Sequence, residues 1–304
     1  MKTYRLDYKK FIAVVVWGFL TLTLSCELES FKNDSGNRED MVLSSIIEAG
    51  TPIHAYVNEY QHFADTMEHI KYIENASISL YENDIYVGDF LCFKDTFQGE
   101  IVYGLPEFIP SSGNTYTLVA RAGDMEVAGS TSLPPPVLVE KVDSYSELVN
   151  PDRNLYRQNF EITFQDPPGN KNFYIITLEG AYGDSNSSNF LGRNRSLDSD
   201  DPIIEGEVSS ELYFSDRSID GVRVTISLYT IKYWHPYNDK LKYQVNLRSV
   251  SREYYEYCKA LDTYESTRED YYAEPASVYT NINNGWGAVI GFSSSYSDSV
   301  VFRR

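Results

Sequence analysis

The chain has 304 residues, 44 of them acidic and 26 basic, for a net charge of −18. A surface this acidic is repelled by nucleic acid and by anionic lipid, which excludes polyanion binding and polybasic membrane attachment. Hydrophobic content of 42 % and aromatic content of 14 %, with 26 tyrosines, exclude a disordered chain and favour strands.

Lys2, Arg5, Lys9 and Lys10 form a basic leader ahead of an apolar stretch from Phe11 to Leu24. At about 14 residues this stretch falls short of the roughly 20 that a spanning helix needs, so residues 1–25 read as a signal peptide. The Leu22-Thr23-Leu24-Ser25-Cys26 run that ends it resembles a bacterial lipoprotein cleavage site, in which a small residue precedes a Cys whose thiol is diacylated. An ordinary secretory signal with an incidental Cys is the alternative. Removing residues 1–25 leaves 22 basic and 43 acidic residues, a net charge of −21, so membrane attachment has to come from lipid on Cys26. Residues 26–40 are polar, carry Gly, Ser and Asn, and lack apolar periodicity, the pattern of a flexible tether.

Beyond the tether the apolar period is two. Phe160, Ile162 and Phe164 alternate with polar residues, as do Val222 to Leu228 and Leu241 to Leu247, the pattern of strands with one wet face. No strand–helix–strand run occurs, so the expected fold is all-β, two antiparallel β-sandwich domains. The first spans 41–133, with strands at 41–47, 54–60, 76–81, 85–93, 116–120 and 126–132, and fits an immunoglobulin-like sandwich. Pro134-Pro135-Pro136 marks the boundary, because three prolines deny a segment its ladder hydrogen bonds. The second domain spans 137–304 and contains a polar Ser/Asn/Asp loop at 183–201. It also holds one short helix near 251–262, capped by Ser251 and striped by Tyr254, Tyr257, Cys258 and Leu261, expected across one end of the sandwich.

No nucleophile elbow, phosphate-binding Gly loop, paired zinc motif or Cys-His signature occurs, so the chain reads as non-catalytic, with no cofactor and no metal site. The four histidines, His54, His62, His69 and His235, follow no ligand spacing. Asp198-Ser199-Asp200-Asp201, with Asp184, carries oxygen ligands of the kind Ca²⁺ takes, but lacks the Gly turn of a dedicated loop and reads as a solvated acidic loop. Cys92 and Cys258 read as two buried free thiols rather than a bridge, and Asp65-Thr66-Met67 and Asp298-Ser299-Val300 match a short O-glycosylation pattern. The candidate contact residues are Tyr233, Trp234, His235 and Tyr237, an aromatic group expected at a hairpin tip, where rigid rings suit a glycan, peptide or protein partner. The alternative for this group is packing over the sheet edge.

Five stretches stand out together: Ile73-Glu74-Asn75-Ala76-Ser77-Ile78-Ser79-Leu80-Tyr81, Thr115 to Ala120, Leu133-Pro134, Leu247 to Tyr255, and above all Ala273-Glu274-Pro275-Ala276-Ser277-Val278-Tyr279-Thr280-Asn281-Ile282-Asn283-Asn284-Gly285-Trp286-Gly287. Taken together they resemble the Bacteroidota lipoprotein family known as domain of unknown function 4249. The resemblance implies a lipoprotein anchored to the outer membrane, on its periplasmic or surface-exposed side, often encoded beside TonB-dependent receptors and without an assigned activity. Read from its residues alone, the last motif places a strand at 277–280, a tight hairpin turn at Asn283-Asn284-Gly285 and a return strand at 286–292, with Glu274 or Trp286 as lesser contact candidates. The expected role is an accessory or ligand-capturing partner of a TonB-dependent transporter. A stand-alone glycan- or peptide-binding adhesin is the alternative, and a hydrolase with an unrecognised carboxylate site the third reading.

Overall fold

The structure, a computed structural model, describes residues 40–60, 70–94, 100–182, 196–206, 210–233, 241–268 and 279–301. The leader, residues 26–39 of the tether and Cys26 lie outside the described residues. Residues from Asp40 onward form one compact unit. In chain order its strands are β1 (Met41–Glu48), β2 (Ile53–Glu59), β3 (Ser77–Glu82), β4 (Ile85–Asp89), β5 (Leu91–Lys94), β6 (Ile101–Leu105), β7 (Thr115–Ala122) and β8 (Met125–Ser132). They continue with β9 (Val139–Asn150), β10 (Leu155–Gln165), β11 (Phe173–Tyr182), β12 (Leu212–Ser215), β13 (Arg223–Tyr233) and β14 (Leu241–Val250). Helix α1 (Arg252–Arg268) follows, then β15 (Ile282–Asn283), β16 (Val289–Tyr296) and β17 (Val300–Val301). The fold is all-β, and none of the described helices is long and apolar enough to cross a membrane.

Three sheets form. A nine-stranded sheet runs β12-β11-β14-β16-β1-β2-β6-β5, with β17 also on β14, while β13-β10-β9 and β15-β8-β7-β3-β4 make two smaller sheets. The pairing crosses the triple proline. β1 lies parallel to β16, with Ser45 opposite Val289 and Glu48 opposite Phe292, and β15 pairs with β8. Residues 41–133 and 137–304 are therefore not separately paired units; two sandwiches share one large sheet.

Register explains how one sheet serves both. Met41, Leu43 and Ile47 point to the same face as Val289, and there they meet Leu80, Tyr116 and Leu118 of the five-stranded sheet. Through the β16–β14 pairing the same face continues into Leu247, Val245 and Tyr243, which pack on Phe160, Ile162 and Phe164 of the three-stranded sheet. Between the two cores runs a row of buried serines. Leu133 anchors the crossing segment in the first core and Val137 in the second. Proline has no N–H to donate, so the serines serve the flanking groups: Ser293 donates to the Pro134 carbonyl (2.6 Å), while Ser249 and Ser295 accept from Val137 N–H (3.0 Å) and Val139 N–H (3.1 Å). The triple proline is thus a strap laid on the shared sheet.

Helix α1 covers the opposite face of that sheet, not an end of a sandwich. Ser251 caps it, accepting from Tyr254 N–H at 3.2 Å, and Tyr254, Tyr255 and Cys258 bury against Phe173, Ile175, Ile290 and Phe292. Leu261, expected in the buried stripe, is 40 % exposed, and Asp262 beside it instead accepts from Tyr213 O–H at 2.8 Å. The strand expected over 85–93 divides at the buried Phe90, so that β4 joins the five-stranded sheet and β5 the nine-stranded one.

The 281–291 segment is a crossing between sheets rather than a hairpin. Asn284 has the positive φ (60°) anticipated for a turn, yet β15 pairs with β8 and β16 with β1. The Asn281 amide closes the gap by mimicking a strand: it accepts from Val289 N–H (2.9 Å) and donates to the carbonyls of Val289 (2.7 Å) and Ser130 (2.9 Å). Gly287, at φ 103°, lets the chain lie against β1; a Cβ there would stand 2.2 Å from the Leu43 carbonyl oxygen. We predict that Gly287→Ala lowers unfolding free energy in urea by at least about 3 kcal/mol, combining backbone strain with lost β1–β16 pairing. Ser293→Ala, which deletes one hydroxyl, should cost only about 1 kcal/mol. Equal effects of the two would contradict this account.

Candidate cleft on the three-stranded sheet

Alternation on β10 sends Phe160, Ile162 and Phe164 into the core and Arg157, Asn159 and Glu161 to the outer face. Pairing aligns Tyr145 of β9, Asn159 and Tyr229 of β13 in one row, with Glu147, Arg157 and Ile231 beside it and Asp143, Glu161 and Ser227 on the other side. The Arg157 guanidinium lies 3.5 Å over the Tyr229 ring, donates through Nε to Asn159 Oδ1 (2.9 Å) and pairs through Nη2 with Asp200.

The wall that brings Asp200 here is residues 198–204. Asp198 exchanges backbone hydrogen bonds with Tyr229 (2.9 and 2.8 Å), and its Oδ2 accepts from Tyr229 O–H at 2.5 Å. That bond, then burial, pushes the Tyr229 pKa up to about 12, so the phenol stays a donor. Ser199 donates to the Ser227 carbonyl (2.5 Å), and Asp201 accepts from Ile203 N–H (3.2 Å) and Ser227 N–H (3.4 Å). Ile203 and Ile204 pack against the core, and Glu205 ties the segment to α1 by accepting from Tyr255 O–H (2.5 Å) and to β12 by accepting from Ser215 O–H (2.9 Å).

Strand and wall enclose an open cleft of about 360 Å³ lined by Tyr145, Arg157, Asn159, Glu161, Asp200 and Asp201 among others. Asn159 is 7 % exposed, and its Nδ2 has no hydrogen-bond partner. A buried donor left without an acceptor costs about 1–3 kcal/mol. Tyr145, paired with it on β9, is 52 % exposed.

Of the residues singled out in the sequence, Asp200 and Asp201 line this cleft. Tyr233 ends β13 opposite Leu155 and is 57 % exposed; Trp234, His235 and Tyr237 lie outside the described residues, as do Cys26, Glu274, His62, His69 and the 65–67 sequon. Trp286 stacks on Tyr60 at 5.1 Å and donates to Asp40 Oδ2 at 3.2 Å, closing the entry to β1. Asp198, Asp200 and Asp201 are each engaged by a protein donor or cation, while the Asp200 side chain stays 69 % exposed as expected of a solvated loop; Asp184 lies outside the described residues. Cys92 is exposed rather than buried, and Cys258 is buried, with burial pushing its pKa up to about 12; both are free thiols.

A carboxylate group the sequence did not flag is Asp166, Asp216 and Asp220, whose oxygens lie within 4.8 Å of one another. Each accepts from a neighbour: Asp166 from Tyr174 O–H (2.5 Å) and Gly221 N–H (2.9 Å), Asp216 from Asn172 N–H (2.7 Å), and Asp220 from Gly169 N–H (2.7 Å). The trio braces the β10–β11 loop to the segment before β13.

The family follows from the whole chain rather than from this cleft: the model described as "Domain of unknown function (DUF4249)" matches residues 27–298. The protein belongs to the DUF4249 family. No curated protein matches it significantly. Of the residues forming the cleft in this DUF4249 chain, only Asp200 and Asp201 stand out in the sequence, as oxygen ligands of an acidic loop; Arg157, Asn159 and Tyr145 sit 12 or more residues apart or on alternate positions and carry no motif. Asn159 stands at the start of the strand expected from the sequence, and only the extension of β10 back to Leu155 puts it at the centre of a strand, where that residue type is disfavoured.

Two carboxyl groups give opposite pH signatures. Burial resists ionisation of Glu205, but the bonds from Tyr255 and Ser215 and the nearby Lys259 outweigh it and hold its pKa below the ordinary 4.5. Its contribution is therefore present above pH 4.5 and lost as pH falls through the depressed value. Glu205→Gln should lower stability at pH 7 by about 1–2 kcal/mol and flatten the acid limb of the stability–pH curve. Burial, then the charges of Asp166 and Asp220, raise Asp216 above its ordinary value, so its ionisation opposes folding as pH rises. Asp216→Asn should leave stability at pH 7 unchanged or improved in urea melts, and a marked loss would refute this reading.

Proposed function

We propose that this DUF4249 protein is a non-catalytic, ligand-capturing lipoprotein of the outer membrane that serves a TonB-dependent transporter. The observation that carries the capture reading is the cleft over β9, β10 and β13, with its unfilled buried donor on Asn159. It is built on strands whose other face is locked into the core, which suits binding without rearrangement of the scaffold. The anchoring reading rests on Ser25-Cys26 at the end of the apolar leader; two acyl chains, each gaining about 0.8 kcal/mol per buried methylene, hold a protein on a bilayer essentially permanently. The transporter reading rests on the family resemblance. Tethering confines the cleft to the plane of the membrane, so delivery requires only modest affinity for the transporter.

Absence of catalysis is part of the proposal. The carboxylates that crowd together, Asp166, Asp216 and Asp220, are occupied by backbone and phenol donors that hold strands together. Tyr174, whose pKa is raised by burial and by Asp166, stays protonated as one of those donors.

The test uses the chain expressed in its own host. Radiolabelled acyl chain should appear on the wild type and vanish in Cys26→Ala, which should leave the membrane fraction. Detergent-solubilised wild type should co-purify with a TonB-dependent transporter. Recovery of the acylated protein without any transporter removes that partner and favours a stand-alone adhesin; an unlabelled wild type removes the anchor.

A further inference from the structure

We infer that the cleft of β9, β10 and β13 takes an uncharged sugar. This rests on the ligand-capture reading and names its ligand class. The cleft holds three carboxylates, Glu161, Asp200 and Asp201, against one cation, and Arg157 is already committed to Asp200, to Asn159 Oδ1 and to the face of Tyr229. Negative on balance, and set in a chain of net charge −18, it repels phosphate, sulfate and uronate groups.

A cationic ligand fails for a different reason. Ammonium and guanidinium groups only donate hydrogen bonds, and the vacancy at the cleft is a donor, Asn159 Nδ2. An amine could sit among the carboxylates but would leave that donor as it is. A hydroxyl both donates and accepts. One ring hydroxyl can accept from Asn159 while donating to a carboxylate, and a neighbouring hydroxyl can repeat the pattern. A polyol is thus the class whose hydrogen-bonding capacity matches both halves of the lining.

The apolar face of a pyranose has its counterpart in Tyr145, whose backbone pairs with Asn159 and whose ring stands half exposed on the same side of the sheet. Asn159 Nδ2 is closed to bulk water, so the exposed side chains of the lining, Tyr145 and Asp200, have to shift as a ligand enters. A cleft of about 360 Å³ lies at the small end of ligand sites, which suits one or two sugar rings rather than a long chain.

The experiment is ligand-observed NMR and calorimetry on the detergent-solubilised full-length protein. The probes are the methyl glycosides of glucose, galactose, mannose and N-acetylglucosamine, with glucuronate, inorganic phosphate and a Lys-Lys dipeptide as charged comparators. At least one neutral glycoside should bind, with glucuronate and phosphate at least tenfold weaker. Asn159→Asp, which keeps the acceptor for Arg157 and removes the donor, should weaken that glycoside at least tenfold with unchanged melting. Tyr145→Ala should weaken it at least fivefold. Tighter binding of the dipeptide or of phosphate, itself weakened by Asn159→Asp, overturns the sugar assignment while leaving ligand capture intact. Glycoside binding indifferent to both substitutions overturns the site. If nothing in the panel binds, the sugar assignment falls. Capture falls with it when native mass spectrometry of protein from its host also shows no bound small molecule.

Discussion

The parallel contact between β1 and β16 is the constraint on which the architecture rests. It joins residues almost 250 positions apart, Ser45 to Val289 and Glu48 to Phe292, and makes one sheet out of what would otherwise be two. Two glycines permit it. A side chain at Gly285 would run into the Met41 carbonyl and Val127, and one at Gly287 into the Leu43 carbonyl. The hydrophobic pattern then follows without further instruction, because a shared sheet needs only consistent alternation to supply both cores on one face and the helix contact on the other.

The polar seam between the cores shows the same economy. A segment that crosses a sheet face without pairing to it leaves backbone groups to satisfy, and prolines reduce their number by removing donors. What remains is met by Ser249, Ser293 and Ser295, placed by alternation on the face where the strap lies. The seam separates two apolar clusters that would otherwise merge, and it holds the three-stranded sheet, with its cleft, in fixed relation to the rest of the unit.

Much of the fold was legible in the sequence because its signals are local. The two-residue period on Phe160 to Phe164 and Leu241 to Leu247, the Ser251 cap and the turn at Asn284 each reflect the chemistry of a few neighbouring residues, and each stands in the structure. What misled was pairing. Alternation says which side chains share a face, not which strand lies alongside, so Pro134-Pro135-Pro136 read as a boundary when it is a strap, and Asn283-Asn284-Gly285 read as a hairpin when it passes the chain between sheets. β6 and the division of the 85–93 strand at Phe90 escaped for the same reason. The cleft was least legible: Tyr145, Asn159 and Tyr229 become neighbours only through register, and the alternate polar residues of β10 look, in one dimension, like any wet face.

The long reach of the β1–β16 contact also bears on how the molecule comes into being. A chain delivered from its N-terminus presents β1 and β2 well before β16, and one side of β1 stays open until β16 arrives. Contacts so distant in sequence are slow to form, and unfinished sheet borders invite adhesion to other chains. Nascent copies therefore stay vulnerable through most of their synthesis, and the polypeptide becomes safe from its neighbours only once β16 has been released and docked on β1.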